Sequence, residues 1–298
     1  MAENDKLPAF AKATADKMEN IVSLSKRRGF IFPACEIYGG FANSYSYGPY
    51  GTELKNNVKK LWWKMFVQDD PKVYGIDGPV ILHPKLWEAS GHTKGFNDAL
   101  VDCKKCKERF RADQLIEEQT GKDEEGKSLE ELSKIIVGSK IKCSNCGKSD
   151  FTDVRNFNGM FKTYFGTQET EENITYLRPE TAGAIFVEFK NIVDSIHPKL
   201  PFGIAQIGKA FRNEITPGNF TFRTREFEQM ELEYFIKPED WEKEFSNWEK
   251  RLLDWCKSIG LKKNEIEVFE HAKEKLSHYS KKTVDIQYKF PFGTKELY

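Results

Sequence analysis

The longest stretch of alternating polarity in the chain runs from Ile204 to Phe235, interrupted near its middle by Thr216-Pro217-Gly218-Asn219. Period-two alternation on both sides of a Pro/Gly/Asn cluster predicts two long antiparallel strands joined as a hairpin. Side chains alternate faces along a strand, so Gln206, Gly208, Ala210, Arg212 and Glu214 are expected on one face and Ile207, Phe211 and Ile215 on the other. The second strand splits the same way. Arg223, Arg225, Phe227, Gln229, Glu231 and Glu233 share its polar face, and Met230, Leu232 and Tyr234 turn to the core. Helical spacing appears at Met18, Ile21, Val22 and Leu24 before Gly29, and again at Leu54, Val58, Leu61, Trp62 and Met65. A third apolar stripe, Trp241, Phe245, Trp248, Leu252 and Cys256, follows Pro238-Glu239-Asp240. Residues 74–84 read as a strand with a turn and 283–288 as a strand, and Pro179 fits the first turn of a helix with Glu180 near its positive end. Residues 1–20 read as a polar leader or short helix, 29–51 as a glycine- and aromatic-rich loop, 117–134 as a charged, solvated tip or short helix, and 264–282 as a polar stretch.

Composition narrows the class. The chain has 298 residues, 39% hydrophobic and 31% charged, with 46 basic and 46 acidic side chains. Zero net charge gives no global signature of a nucleic-acid binder, so any RNA contact rests on local patches. No run of about 18 apolar residues predicts a membrane span. Lys6, Lys12 and Lys17 interrupt the apolar positions that a signal peptide needs. A cytoplasmic location is expected, where the six cysteines read as thiols or metal ligands.

Two clusters carry candidate chemistry. Cys103-Lys104-Lys105-Cys106 and Cys143-Ser144-Asn145-Cys146 are two CxxC knuckles, and four thiolates in two close pairs make a tetrahedral cage for Zn2+. Four unrelated reduced thiols are the plainer alternative. The hairpin face is the second cluster: arginine forks suit phosphate oxygens, carboxylates suit an ammonium group or divalent metal, and an aromatic ring suits a nucleobase. A solvated strand would also be charged. His92 reads as a structural histidine rather than a ligand.

Phe211-Arg212-Asn213-Glu214 with Phe222-Arg223-Thr224-Arg225-Glu226-Phe227-Glu228-Gln229-Met230-Glu231 resembles motif 2 of class II aminoacyl-tRNA synthetases, and among them the glycyl-tRNA synthetase family. The resemblance covers residues 18–298. It takes in the aromatic loop, the motif 1 helix, the zinc-binding insertion and Arg178-Pro179-Glu180-Thr181. It implies an α+β fold, an antiparallel class II sheet flanked by helices. The core would span residues 21–102 and 151–298, incomplete at its C-terminal end, with a zinc-knuckle insertion at 103–150. By the same resemblance, Arg212 and Glu214 serve catalysis. Arg212 would hold the α-phosphate of ATP, Arg223 or Arg225 the distal phosphates, Phe227 would stack on adenine and Glu214 accept from its amino group. Asn213, Phe222, Glu296 and Leu297 complete the expected ATP contacts. Glu180 and Glu231 would bracket the glycine ammonium, with Arg111, Phe227 and Gln229 also at the glycine site. Implied companions are Mg2+ on the phosphates, structural Zn2+, tRNA(Gly) and a second copy in a homodimer. Two departures stand out: Ser46 replaces a usual acidic residue, and RPETAGA replaces RPETAQG. Neither motif 3 nor an anticodon-binding domain is recognisable. A non-catalytic or truncated synthetase-like dimerisation or RNA-binding module is therefore the alternative to ATP-dependent glycylation.

Overall fold

The computed structural model describes residues 9–298, with side-chain surroundings from residue 16 onward. The first eight residues of the expected leader lie outside them. Helix α1 (Ala9–Arg27) leads to Gly29, whose φ of 73° is the left-handed turn that ends it. The short pair β1 (Ile31–Pro33) and β2 (Tyr45–Tyr47) precedes α2 (Pro49–Trp63), which has Pro at its first position and continues as a π-helical turn, Lys64–Gln68. Next come β3 (Val73–Gly75), α3 (Pro84–Ala89), α4 (His92–Gly95), β4 (Asn97–Asp102), β5 (Arg109–Arg111), α5 (Ala112–Thr120), α6 (Leu129–Gly138) and β6 (Arg155–Asn158). The chain continues through β7 (Lys162–Tyr164), β8 (Ile174–Tyr176), α7 (Ala182–Ile196), β9 (Phe202–Phe211) and β10 (Glu226–Phe235). It closes with α8 (Trp241–Ser258), β11 (Ile266–Glu270), β12 (Val284–Phe290) and β13 (Gly293–Glu296).

β9 and β10 pair antiparallel over ten residues, from Glu226 opposite Phe211 to Phe235 opposite Phe202. This is the expected hairpin. The third strand of its sheet corrects the all-antiparallel expectation, because β3 runs parallel to β9, Val73 beside Gly203. A parallel neighbour needs a long crossover, and everything from α3 to α7 supplies it. Directly opposed residues share a face, so Phe227 with Ala210, Gln229 with Gly208 and Glu231 with Gln206 form one surface.

The opposite face is aromatic. Ile207, Met230, Leu232 and Tyr234 pack on fully buried Trp62 and Phe66 and on Trp248 and Trp255, with Tyr234 edge-on to Trp248 at 5.0 Å. Each such buried side chain contributes about 2–3 kcal/mol of hydrophobic stabilisation, and together they fix the register of the polar face. A separate core gathers Val101, Leu115, Ile116, Leu132, Ile136, Ile141 and Val154.

The short-helix alternative holds at both ends of residues 117–134: they include the last turn of α5 and the start of α6, where Leu132 is buried and a Ser128/Glu131 capping box opens the helix. Two local readings need correction. The polar stretch after Asn264 contains β11, paired with β12 from Ile266 to Glu270. Pro179 does not open a helix, because α7 begins at Ala182. Its flanks are tied across the hairpin instead: Phe211 N donates to Arg178 O, and Arg212 Nε to Pro179 O at 3.0 Å.

Candidate functional site

Residues 178–181 form an arm laid over the polar face of the hairpin. Arg178 is almost wholly buried, and its guanidinium donates to three backbone oxygens: Lys209 O at 2.7 Å, Gly78 O at 2.7 Å and Pro79 O at 3.3 Å. Gly208 makes room for it, since a Cβ there would sit 2.1 Å from the guanidinium. Thr181 then anchors the arm. Its N–H donates to Gln229 Oε1 at 3.2 Å, its hydroxyl donates to Glu231, and its carbonyl accepts from buried Gln206.

This arm brings Glu180 to Glu231 and Glu233. Burial pushes the Glu231 carboxyl up, the Thr181 hydroxyl pulls it back, and Glu180 adds to the rise. Glu233 is pushed up to about 7, first by burial and then by Glu231 and Glu180. Three carboxylates gathered where water is scarce repel one another, and a cation relieves the repulsion. The expected pair Glu180 and Glu231 is thus assembled. Glu233, on the predicted face but given no role from sequence, is the third member.

Arginine and aromatic groups occupy the neighbouring end. The Arg212 guanidinium lies 5.4 Å from the Phe227 ring centre and 5.6 Å from that of Phe96, a cation held between two rings. Phe96 stands 5.5 Å from the His92 ring, and His92 stands 5.4 Å from buried Trp87. A column of four rings and one guanidinium therefore runs from the hairpin into α3. Glu214 faces Arg223 at 4.0 Å, Arg225 donates to Ala42 O at 3.3 Å, and Asn213 N donates to Gly159 O at 2.7 Å. Phe222 lies edge-on to Phe290 and Phe292, each 5.0 Å away, which draws the C-terminal strands to the hairpin loop. Burial raises the Glu296 carboxyl, Asp285 adds to the rise, and His271 and Arg212 oppose it. Leu297 packs in the aromatic core, with its N–H given to Ile286 O at 2.8 Å.

Arg111 stands apart. Its guanidinium is engaged by Asp113 and by Asp98 at 3.2 Å, and among the described residues no ion pair joins it to Glu180 or Glu231. His92 is the residue that sequence reasoning set aside, and the fold puts its Nε2 3.4 Å from Glu180 Oε2. Nothing in its spacing signalled that, because the two lie on separate elements.

The knuckles meet as expected from their spacing. The four Sγ atoms lie within 4.8 Å of one another, with Cys103 to Cys146 at 3.6 Å and Cys106 to Cys143 at 3.5 Å. The two turns repeat each other: Lys107 N donates to Cys103 O at 2.9 Å and Gly147 N to Cys143 O at 2.8 Å, with φ of 64° and 71°. Backbone N–H groups, that of Cys106 foremost, hold the Cys103 thiol down to about 7, while burial pushes Cys143 up to about 12. An all-sulfur set of this compactness matches the preference of zinc for tetrahedral thiolate.

Residues 161–296 match the tRNA synthetase class II core domain (G, H, P, S and T). The chain is 56% identical to a glycine--tRNA ligase of Geobacillus kaustophilus (strain HTA426) over 94% of its length, covering 62% of that protein. It is 54% identical to the glycine--tRNA ligase of Alkaliphilus oremlandii (strain OhILAs), covering 96% of this chain and 63% of that one. The chain thus spans somewhat over three-fifths of the length of these curated relatives. A solved RNA binding domain of threonyl-tRNA synthetase from Cryptosporidium parvum Iowa II has a TM-score of 0.47 at 18% identity, over 80% of this chain and 42% of that one. No helix among the described residues is long and apolar enough to cross a membrane.

Proposed function

Because the chain belongs to the glycine--tRNA ligase family of class II aminoacyl-tRNA synthetases, we propose that its hairpin face activates glycine with ATP for transfer to tRNA(Gly). The observation that carries this reading is the division of one face into an acidic end, Glu180, Glu231 and Glu233, and an arginine–aromatic end, Arg212 with Phe227 and Phe96. Glycine has an ammonium for the first and a carboxylate to present toward the second. A carboxylate oxygen attacks the α-phosphorus of ATP, the bond to the β-phosphate breaks, and pyrophosphate leaves. The terminal ribose hydroxyl of the tRNA then attacks the glycyl carbonyl and AMP departs. No side-chain nucleophile is needed, so the protein contributes position and charge.

Arg212 is the assigned α-phosphate ligand, and its two flanking rings hold the fork before ATP arrives. Arg223 and Arg225, in the hairpin connection, serve the distal phosphates, and Glu214 the adenine amino group. Phe227, Phe222, Asn213 and the Glu296-Leu297 pair complete the nucleotide site. Mg2+, when bound, neutralises the triphosphate. Gln229 acts through Thr181, to whose N–H its side chain is bonded. Arg111 would reach glycine only by leaving Asp98 and Asp113. The four cysteines hold a structural Zn2+, for which the compact sulfur set is the support.

A second copy of the chain completes the assembly. Ile37, Tyr38 and Phe41 are each more than four-fifths exposed, and Tyr50 and Leu54 at the start of α2 are more than half exposed. So many apolar side chains on one short segment is the mark of a covered surface, and a homodimer through the motif 1 region covers it. A cytoplasmic enzyme fits this assembly.

Glycine-dependent exchange of pyrophosphate into ATP tests the central reading. Exchange that requires glycine and is lost in Glu231→Gln supports it. Exchange indifferent to Glu231, or a chain that binds neither ATP nor glycine, overturns it.

A further inference from the structure

His92 opens α4 immediately after Gly91, whose φ of 83° turns the chain toward the arm. Trp87 and Phe96 pin the ring at 5.4 and 5.5 Å, and Asn158 Nδ2 donates to His92 O at 3.4 Å. Both ring nitrogens have polar neighbours. Nδ1 lies 2.8 Å from Ser90 Oγ, and Nε2 lies 3.4 Å from Glu180 Oε2. The Ser90 hydroxyl lies 3.5 Å from Trp87 O and 2.8 Å from Nδ1, and its one proton, given to the nearer acceptor, selects the tautomer whose Nε2–H faces Glu180. The histidine need carry no charge to do so.

Glu180 has few other means of being held. Thr181 is spent on Glu231, Gln229 and Gln206, and Arg178 on three backbone oxygens. Among the described residues, no other cationic side chain lies within ion-pair reach of Glu180. Its carboxylate would otherwise swing away from Glu231 and Glu233, since like charges repel.

We propose that His92, oriented by Ser90, is a positioning residue that holds the Glu180 carboxylate toward the ammonium group of the amino-acid substrate. This rests on the reading that Glu180 receives that ammonium. At 3.4 Å the two atoms are close without a formed hydrogen bond, and such contacts tighten when a site fills. With the site filled, one Glu180 oxygen would accept from His92 Nε2–H, leaving the other for the substrate. Ring packing alone would keep His92 in place equally well, so the test separates the nitrogen from the ring.

Glycine is titrated into the chain with backbone NMR resonances as the readout, using wild type, His92→Phe, His92→Gln, Glu180→Gln and the His92→Phe/Glu180→Gln double variant. Phenylalanine keeps the aromatic packing and removes the donor, whereas glutamine restores an N–H. Glu180→Gln should weaken glycine binding about tenfold or more, His92→Phe about fivefold, and His92→Gln about twofold or less. In the Glu180→Gln background, His92→Phe should cost nothing further, the sign of full coupling. Losses that multiply independently, or a His92→Phe chain that binds like wild type while Glu180→Gln does not, overturn the positioning role and leave the ammonium site standing. A Glu180→Gln chain that binds glycine normally, or a wild-type chain whose resonances do not respond to glycine, overturns both. Should His92→Phe fail to fold, the cycle runs on Ser90→Ala, which removes the tautomer-setting bond from an exposed position and should weaken glycine about twofold, again only while Glu180 is present.

Discussion

The thiol cluster of the knuckles and the carboxylate cluster of the hairpin solve one problem by different routes. Each crowds together groups that become negative, and for each a cation is the proposed partner. The thiols are gathered by two local turns that bond their own backbones, above a small core belonging to the same stretch of chain. The carboxylates are gathered at long range: Glu231 and Glu233 stand two apart on β10, but Glu180 arrives on an arm held by Arg178 and Thr181. The first cluster is encoded by spacing, and a bound Zn2+ is proposed to hold it together. The second is encoded by the fold, and is proposed to receive the ammonium of a substrate.

The sharpest way to break this contrast is to remove the proposed zinc ligands. Elemental analysis of the wild-type chain should give about one equivalent of zinc, and Cys103→Ser with Cys143→Ser should remove it and destabilise the insertion by about 3 kcal/mol or more, while Trp62, Trp248 and Trp255, packed under the hairpin, keep their fluorescence. Retention of more than half of the metal would show that the four sulfurs are not one site.

Next in size is the pH response of the carboxylates. Glu233 binds its proton more tightly folded than unfolded, so stability is greatest below the ordinary carboxylate value and is lost as pH rises from about 4.5 through about 7. Glu233→Gln should therefore stabilise the chain by about 1–3 kcal/mol at pH about 8 and change it little at pH about 4. Denaturant melts at the two pH values read this directly, and equal effects at both would remove Glu233 from the cluster.

At the other end of the face, Arg212→Lys keeps the charge but loses the fork held between Phe96 and Phe227. Calorimetric affinity for Mg-ATP should fall by about tenfold, or about 1.4 kcal/mol. An unchanged affinity would place the α-phosphate elsewhere.

Smallest is the effect of the cap. Ser128→Ala removes one half of the capping box of α6 and should cost about 1 kcal/mol, visible as faster amide exchange in α5 and α6 and absent from β9 and β10. Exchange that quickens across the hairpin as well would mean that the two clusters unfold together.

What could be read from the sequence follows the same division. Cys103, Cys106, Cys143 and Cys146 declared themselves by spacing, and the hairpin by alternation, down to the face shared by Phe227, Gln229 and Glu231. Strand period fixes which side chains are neighbours within one element, and says nothing of what another element lays across them. His92 and Glu180 lie on different elements, so no period connects them. The acidic composition of residues 117–134 leaves a solvated tip and a short helix both open, because buried positions are few there and the capping box is itself charged. β11 was missed for a related reason: four of its five residues are exposed, leaving no alternation to detect. Pro179 misled because its ring also suits an extended arm, and the carbonyl taken by Arg212 decides the matter.

Arg178 leaves a signature in the kinds of change the protein can absorb over evolutionary time. Its acceptors are main-chain oxygens of Gly78, Pro79 and Lys209, so a new side chain at residue 209 leaves that bond's acceptor in place. The intolerant positions are those with nothing to mutate away. A methyl on Gly208 collides with the guanidinium, and one on Gly78 would come within 2.5 Å of the Ala184 Cβ. The placement of the acidic pocket is thus inherited through missing atoms, and a search for interchangeable polar residues around it would overlook the two sites where drift is forbidden.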